Sequence, residues 1–567
     1  SFLGATILGG DVRTEGQAIS FSDDVVIADN LEIATTDNSA AGANISISGT
    51  VDADSESADR NLRFTAGTGS TSISGAVGTG QALQTLSATG SGFSAAGVRT
   101  TGGQAYIGEV AMLGDMVSTI SGRIAIAGPL FLGSDVTIQT AGTDATHDIV
   151  VSGPIDTLTG DPRRNLTLNS GLGDISLSGV IGGGEGLASL TASGATIAIT
   201  GGQVTTSGAQ VYTGDTSVGG SLVGDSVRFA GPLTIISDLT VTGTSFARFE
   251  GAVNSEATEA NDLTVNSPDT LFAAQIGAGA DGALGLLFTD DSGVTVVDAG
   301  GITADQVAFR DEVRLDSDLT ITATGPVAFA AAVNSGTAGA RALTVNAAGD
   351  TSLGGAVGGA NPLSSITLGG GGRTLLGTTV TTTGAQQWDD AVVLAGDSVL
   401  NGDTITLGST VDSDGTARSL TIVGGAGGIN AINGIGRTSA LSSLSMTASG
   451  IRVANVTTTG GQTYTGVTTL SDELRSTTGG AINIAGDLRL AGDSNIRTAG
   501  GAATDDAIFG GAINSVTTPF DLTVVTGAGD ISVAGDIGLS NAAGNVQLAE
   551  LNLSGNTIAV RNVRTAG

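Results

Sequence analysis

The chain has 567 residues, 92 of them Gly and 8 Pro, with 40% hydrophobic and only 3% aromatic side chains. Its 54 acidic side chains outweigh 21 basic ones, all of them Arg, giving a net charge of −33; phosphate and anionic-lipid binding need a positive face, so nucleic acid and an acidic bilayer surface are excluded as partners. Cys is absent and no run approaches the ~18 apolar residues of a membrane span, which removes disulfides, thiolate metal sites and helical membrane insertion of this stretch.

Glycine at this level suits a disordered chain, but the apolar content argues against that. Short runs alternate apolar and hydroxyl side chains, as in Leu166-Thr167-Leu168 and Ile175-Ser176-Leu177. That period of two belongs to a half-buried strand. Val, Ile and Thr favour such a surface, and Gly, Asn and Asp punctuate it at turns. No stretch of useful length shows a helical period free of these breakers.

Taken in chain order, the elements repeat. A loose motif runs from Val12 to Phe21 around Gln17. Val51-Asp52 follows, then a polar loop, the run Asn61-Leu62-Arg63-Phe64, a Gly-rich turn and further short runs. These lead to Val98-Arg99-Thr100-Thr101-Gly102-Gly103-Gln104-Ala105-Tyr106. Clear copies of that motif recur at Val204 (with Gln210 and Tyr212), Val380 (Gln386 and Trp388) and Val456 (Gln462 and Tyr464), and a loose one runs from Ile302 to Phe309. The one Trp and all three Tyr of the chain stand at this single position. Between motifs the block of apolar residue, Asp or Asn, loop and strand returns at Ile155-Asp156, Val253-Asn254, Val333-Asn334, Val411-Asp412 and Ile513-Asn514. Val563 to Gly567 opens another copy, and no basic, apolar leader precedes the first; the expectation is a window on a longer polypeptide.

The long repeats start near residues 12, 98, 204, 302, 380, 456 and 563, and their spacing varies. The step from Trp388 to Val411 is short, whereas the equivalent steps from Tyr106 to Ile155 and from Tyr464 to Ile513 match each other and are both far longer. The difference is about one coil of a solenoid, and whole coils are the unit that a stacked array adds without disturbing its neighbours. Residues 1–567 are therefore expected to form a single continuous, all-β parallel β-solenoid, an elongated rod on the order of 130 Å long at about 20 residues per coil. Small aliphatic fillers and few aromatics suit its narrow interior. The motif aromatics, far apart along the chain, are expected to lie several coils from one another, packing the core rather than stacking on sugars.

Chemistry is sparse. His147 is the only histidine, so neither a Ser/His/Asp triad nor a multi-His metal site can form. Carboxylate pairs remain at Asp52-Ala53-Asp54-Ser55-Glu56, Asp389-Asp390 and Asp412-Ser413-Asp414-Gly415. The last resembles the start of a calcium loop but lacks its later ligands; calcium at Asp412 and Asp414, or Asp52 and Asp54, is the only cation the pattern suggests, and no other cofactor is expected. Within the chain Asp52 recurs with Arg60, Asp156 with Arg164 and Asp412 with Arg418, which suggests loop ion pairs; where the Arg is missing the acid is Asn254 or Asn514, and Asn334 stands with Arg341.

Val-Thr-Thr-Thr-Gly-Ala-Gln-Gln-Trp388 followed by Val411-Asp412-Ser413 and Arg418-Ser419-Leu420-Thr421-Ile422 resembles the repeats of large bacterial surface exoproteins. The resemblance is to filamentous-haemagglutinin-like passengers of two-partner secretion and to autotransporter passengers, and it covers essentially the whole chain. It implies a right-handed β-helix exported through an outer membrane by a secretion partner. It also implies an extracellular adhesin stalk or fibre at the bacterial cell surface, acting in cell attachment or biofilm. Its contacts would be host or neighbouring-cell surfaces, glycans, or further copies of itself. The alternatives are a carbohydrate-active β-helix enzyme working with carboxylates and a calcium- or ice-binding solenoid. An enzyme needs one unrepeated cleft, whereas each segment here has counterparts elsewhere in the chain; no catalytic residue is expected.

Overall fold

In the computed structural model the chain is all-β, with parallel strands stacked as a β-solenoid of about 24 turns. The structure describes residues 1–55, 59–279, 282–539 and 546–566. They divide into two compact units, Ser1–Gly285 and Leu286–Gly567. Among the described residues there is no α-helix; one 3₁₀ turn spans Asp37–Ser39.

The strands form where alternation predicts them. In Asn165–Asn169 the side chains of Leu166 and Leu168 are fully buried and Thr167 points outward. Each such run pairs in register with one run of the coil before it and one of the coil after, so that Leu166 lies between Val136 and Leu190. Coil length varies with the corners: the circuit from Leu31 to its partner Leu62 is much longer than the one from Leu86 to its partner Gln104. Strand length varies too: Ile175–Leu177 has three residues and Ala209–Phe229 has 21, where the chain stays paired around its corners. Apolar columns of Val, Ile and Leu, one residue per coil, make up the core, and their burial is the main favourable term.

Corners bring backbones close. A Cβ on Gly179 would stand 2.2 Å from the carbonyl of Gly153, one coil below, and Gly153 meets Gly128 in the same way. Coils about 4.8 Å apart leave no room for a side chain there.

The aromatics differ from expectation in one respect. The motif rings do not touch each other, but Tyr212 is not isolated: it stacks on Phe229 at 5.1 Å, Phe229 on Phe249 at 5.5 Å and Phe249 on Phe272 at 4.9 Å. One ring per coil in the same column is the reason, and in unit two Phe309 and Phe329 stack likewise at 5.6 Å.

Between Tyr106 and Ile155 the chain makes two steps up the stack, Val110 to Leu130 and Leu130 to Ile155. Between Trp388 and Val411 it makes one, Val392 to Val411. The longer spacing is one additional coil.

Candidate functional site

The recurring motif is a buried polar clip. Gln104 Nε2 donates to Thr100 Oγ1 at 3.2 Å and to the Val117 carbonyl of the next coil at 3.0 Å. Its Oε1 accepts the Tyr106 hydroxyl at 3.0 Å, while Thr100 Oγ1 donates to the Gly102 carbonyl at 2.6 Å. Gln462 repeats this with Thr458, the Arg475 carbonyl and Tyr464, and Gln210 with Thr206, the Val223 carbonyl and Tyr212. The buried Thr, Gln and Tyr of the motif thus satisfy one another and carbonyls that burial would otherwise leave costly. Burial pushes the phenols of Tyr106, Tyr212 and Tyr464 up, since no charge is tolerated there.

The Trp copy departs from this. Gln386 Nε2 still reaches the Asn401 carbonyl at 2.8 Å, but Gln386 Oε1 and Trp388 Nε1 are both buried without a partner. All four rings are at most 1% exposed; none offers a face to a ligand.

The loop ion pairs are corrected. Asp52 does not hold Arg60: its Oδ1 accepts the backbone N–H groups of Gly80 at 2.8 Å and Gln81 at 3.1 Å, one coil on. Asp412 takes Thr438 and Ser439 in the same way, and Asp156 takes Gly184 and Gly186. Asn334 and Asn254 do so too, through Oδ1 to Ala360 and Ala278. The position needs an acceptor oxygen rather than a charge, which is why Asp and Asn interchange. The arginines pair with other acids of their own loops: Arg60 with Asp54 at 2.8 Å, Arg418 with Asp414 at 3.0 Å and Arg164 with Asp161 at 3.9 Å. Hydrogen bonds from Arg60 and Arg418 hold the Asp54 and Asp414 carboxyls below their usual range.

The suggested cation ligands are therefore engaged separately, Asp52 and Asp412 by backbone, Asp54 and Asp414 by guanidinium. Glu56 lies outside the described residues. Among those residues no group of three or more His, Asp or Glu side chains gathers.

His147 is buried and structural in its contacts. Its Nδ1 accepts the Thr143 N–H at 3.2 Å, and Thr140 Oγ1 donates to its carbonyl at 2.6 Å. Asp505 occupies the matching place in unit two: its Oδ2 accepts the Gly501 and Ala502 N–H groups, and Thr498 Oγ1 donates to its carbonyl at 2.7 Å.

Two buried acids do not stand out in the sequence. Asp311 receives Thr289 Oγ1 at 2.7 Å and Thr295 Oγ1 at 2.8 Å, and burial raises its pKa against those hydrogen bonds. Asp390, noted above only as one of a pair, takes the Gly371 N–H at 3.0 Å on Oδ1 and leaves Oδ2 unpartnered. Both stand two positions after the motif's aromatic, where the Tyr copies have Gly108, Gly214 and Gly466. Acid in place of that Gly was the available signal.

Comparison with protein-family models, curated proteins and solved structures finds no match for the chain.

Proposed function

We propose that the chain is a structural and adhesive segment of a large exported bacterial surface protein, of the filamentous-haemagglutinin-like or autotransporter-passenger kind, displayed outside the cell. The observation that carries this reading is the addition of a whole coil between equivalent motifs, as between Tyr106 and Ile155. Such an array changes its length without changing its packing, which suits a spacer that presents binding surfaces at a distance. The commitment of the motif's polar groups to internal bonds supports a structural role for it. The high net charge, the Cys-free composition and the repeat style fit export and solubility in the open. On this reading an outer-membrane secretion partner moves the chain, and attachment is to cell surfaces, glycans or neighbouring copies.

Antibody against the segment tests the reading on intact cells of the source bacterium, with and without the gene. Surface labelling, and loss of attachment to host cells or of biofilm on deletion, supports it. Labelling confined to lysed cells, with attachment unchanged, overturns it.

A further inference from the structure

One corner of unit two breaks the regularity of the stack. Between Val423 and Ile429 the chain runs through Gly424 to Gly428, a longer path than its partner takes on the next coil between Thr447 and Ile451. On the coil before, Gly402 and Thr404 pair with Gly424 and Gly428 and enclose only Asp403. The corner bulges outward and walls a cleft of about 340 Å³ lined in part by Gly427, Gly428, Gly450, Arg452, Thr469 and Arg489. Gly428 has φ +81, and a Cβ there would lie 2.7 Å from the Gly450 carbonyl, so this wall is bare backbone.

Other copies of this corner within the chain carry a different pair of residues. The residue before the inward Ile or Thr at this corner is Asp174, Asp350 and Asp530 in three other copies, and each carboxylate holds the following coil: Asp174 takes Thr196, Asp350 takes Arg373 and Asp530 takes Thr557. In this copy it is Gly428. One coil on, where those copies have Ala198, Leu375 and Ala559, this one has Arg452. A carboxylate has been lost on one coil and a guanidinium added on the next, two positions further along the strand.

Arg452, Thr469 and Arg489 follow one another on a single outward row. Two coil spacings put the arginines about 10 Å apart. Elsewhere in the chain Arg side chains grip carboxylates with two nitrogens: Arg60 on Asp54, Arg228 on Glu250, Arg373 on Asp350 and Arg418 on Asp414. Arg452 and Arg489 have no such partner among the described residues, and Arg489 Nε is buried with nothing to bond. The neighbouring acids are turned elsewhere: Asp403, next to Thr404 of the lining, accepts the Ala426 N–H at 3.0 Å, and Asp487, two residues before Arg489, accepts the Ala512 N–H at 2.9 Å.

From this geometry we propose that the cleft binds a carboxylate-bearing ligand, an extended acidic oligosaccharide whose uronate groups complete the two guanidiniums, with the Thr469 hydroxyl and the glycine backbone against the sugar between them. Planar carboxylate is the group that the guanidinium fork fits bidentately. The naming of a saccharide rests on the adhesive reading; the two unpartnered guanidiniums do not.

The test is titration of the full chain with a defined oligogalacturonate, its methyl ester and a sulfated oligosaccharide of the same length, with a melt of each protein variant alongside. Binding of the uronate, loss of binding to the ester, a tenfold or larger loss in Arg452→Ala and in Arg489→Ala, and abolition in Thr469→Asp with unchanged melting are the expected results. Arg452→Lys should recover little, since it restores charge without the fork. Uronate affinity indifferent to both Ala variants, or absent from the parent, overturns the proposal; equal binding of the sulfated compound overturns its carboxylate selectivity. Attachment by intact cells without uronate binding sinks this site and leaves the adhesive reading standing, and the converse result separates them the other way.

Discussion

Val98 and Tyr212 stand in one column of the core of the first unit. The ladder runs from Val98 through Met116, Ile138, Leu168 and Ala192 to Tyr212, each residue paired in register with the next. In the second unit Val380 leads through Leu400, Ile422 and Met446 to Tyr464. The valine of one motif copy thus lies beneath the aromatic of the next in both units, although the first path is one coil longer. Within each unit, therefore, the later of these two copies is turned by one strand position relative to the earlier, and their clips brace different faces of the stack.

The clip predicts an order of stabilities at residue 388. Trp388→Phe removes the orphaned indole N–H but leaves Gln386 Oε1 unpaired, as it is now. Trp388→Tyr places a hydroxyl where Tyr464 places its own, 2.8 Å from the Gln oxygen. The Tyr variant should be more stable than the Phe variant by about 1 kcal/mol, while Trp388→Ala should cost about 3–5 kcal/mol. Tyr464→Phe should lose a similar 1 kcal/mol, roughly. Denaturant melts of the four proteins read this directly; Phe and Tyr variants of equal stability would remove the clip as the explanation.

Asp52 is held to be an acceptor rather than half of an ion pair. Asp52→Asn keeps Oδ1 and matches what Asn254 and Asn334 already do, so its melting should be that of the parent. Asp52→Ala frees two backbone N–H groups on the next coil and should cost about 1 kcal/mol. If the Asn variant fell as far as the Ala variant, charge would be the operative property after all.

The pH dependence has two limbs of opposite sign. Arg373 beside Asp350, Arg228 beside Glu250 and Arg60 beside Asp54 hold those carboxyls below their ordinary values. Groups lowered in this way stabilise the fold above the unfolded pKa, and that stability is lost as pH falls through the folded one. Asp311 is raised by burial, so its contribution is present when it is protonated and is lost as pH rises through its folded pKa. Melting temperature should therefore climb slightly as pH falls through the folded pKa of Asp311 and drop once pH falls below about 4, where the paired carboxylates begin to protonate. Asp311→Asn should flatten the first limb and leave the second. A melt that stays level through strong acid would show that the paired carboxylates contribute nothing measurable.

Most of the architecture could be read from the alternation of Leu166-Thr167-Leu168 and its counterparts, because a period of two and frequent breakers leave few folds open. The extra coil was visible as well, since the steps after Tyr106 and Tyr464 exceed the step after Trp388 by the same whole turn of chain. The partners of Asp52 and Asp412 were not. Spacing along the chain pointed to Arg60 and Arg418, but an outward side chain on a solenoid strand lies nearer the next coil than its own loop. Column identity was hidden for a related reason: which strand of the following coils sits over Val98 depends on corner lengths that only the register shows. Asp311 escaped because it looked like one more solvated acid of an acidic chain, and Asp390 was legible only as half of a carboxylate pair, not as a buried side chain.

The one-coil difference between copies gives the strongest test of the architecture. Ile124 pairs with Ile149 and Leu130 with Ile155, so both strands are displaced along the chain by the same amount. Removing Ile124–Asp148 joins Arg123 to Ile149 and lets Ile149 take the place of Ile124 over Gln104, and Ile155 that of Leu130 over Val110. Met116, which lies under Ile138, would then meet Leu168, the next apolar residue of its column. Every buried strand keeps a buried partner, and the arrangement reproduces the natural spacing after Trp388. The deletion removes His147 with its loop, which the copy around Trp388 does without. Because each coil couples only to its neighbours, the shortened protein should fold with strand content reduced in proportion and a melting temperature within a few degrees of the parent. Removing only the first half of that stretch, Ile124–Val136, should fail, because the next strand would arrive on the wrong face and expose its apolar column. Circular dichroism and a thermal melt of the two deletions decide the matter: if the whole-coil deletion unfolds as readily as the half-coil one, the coil is not the unit from which this chain is built.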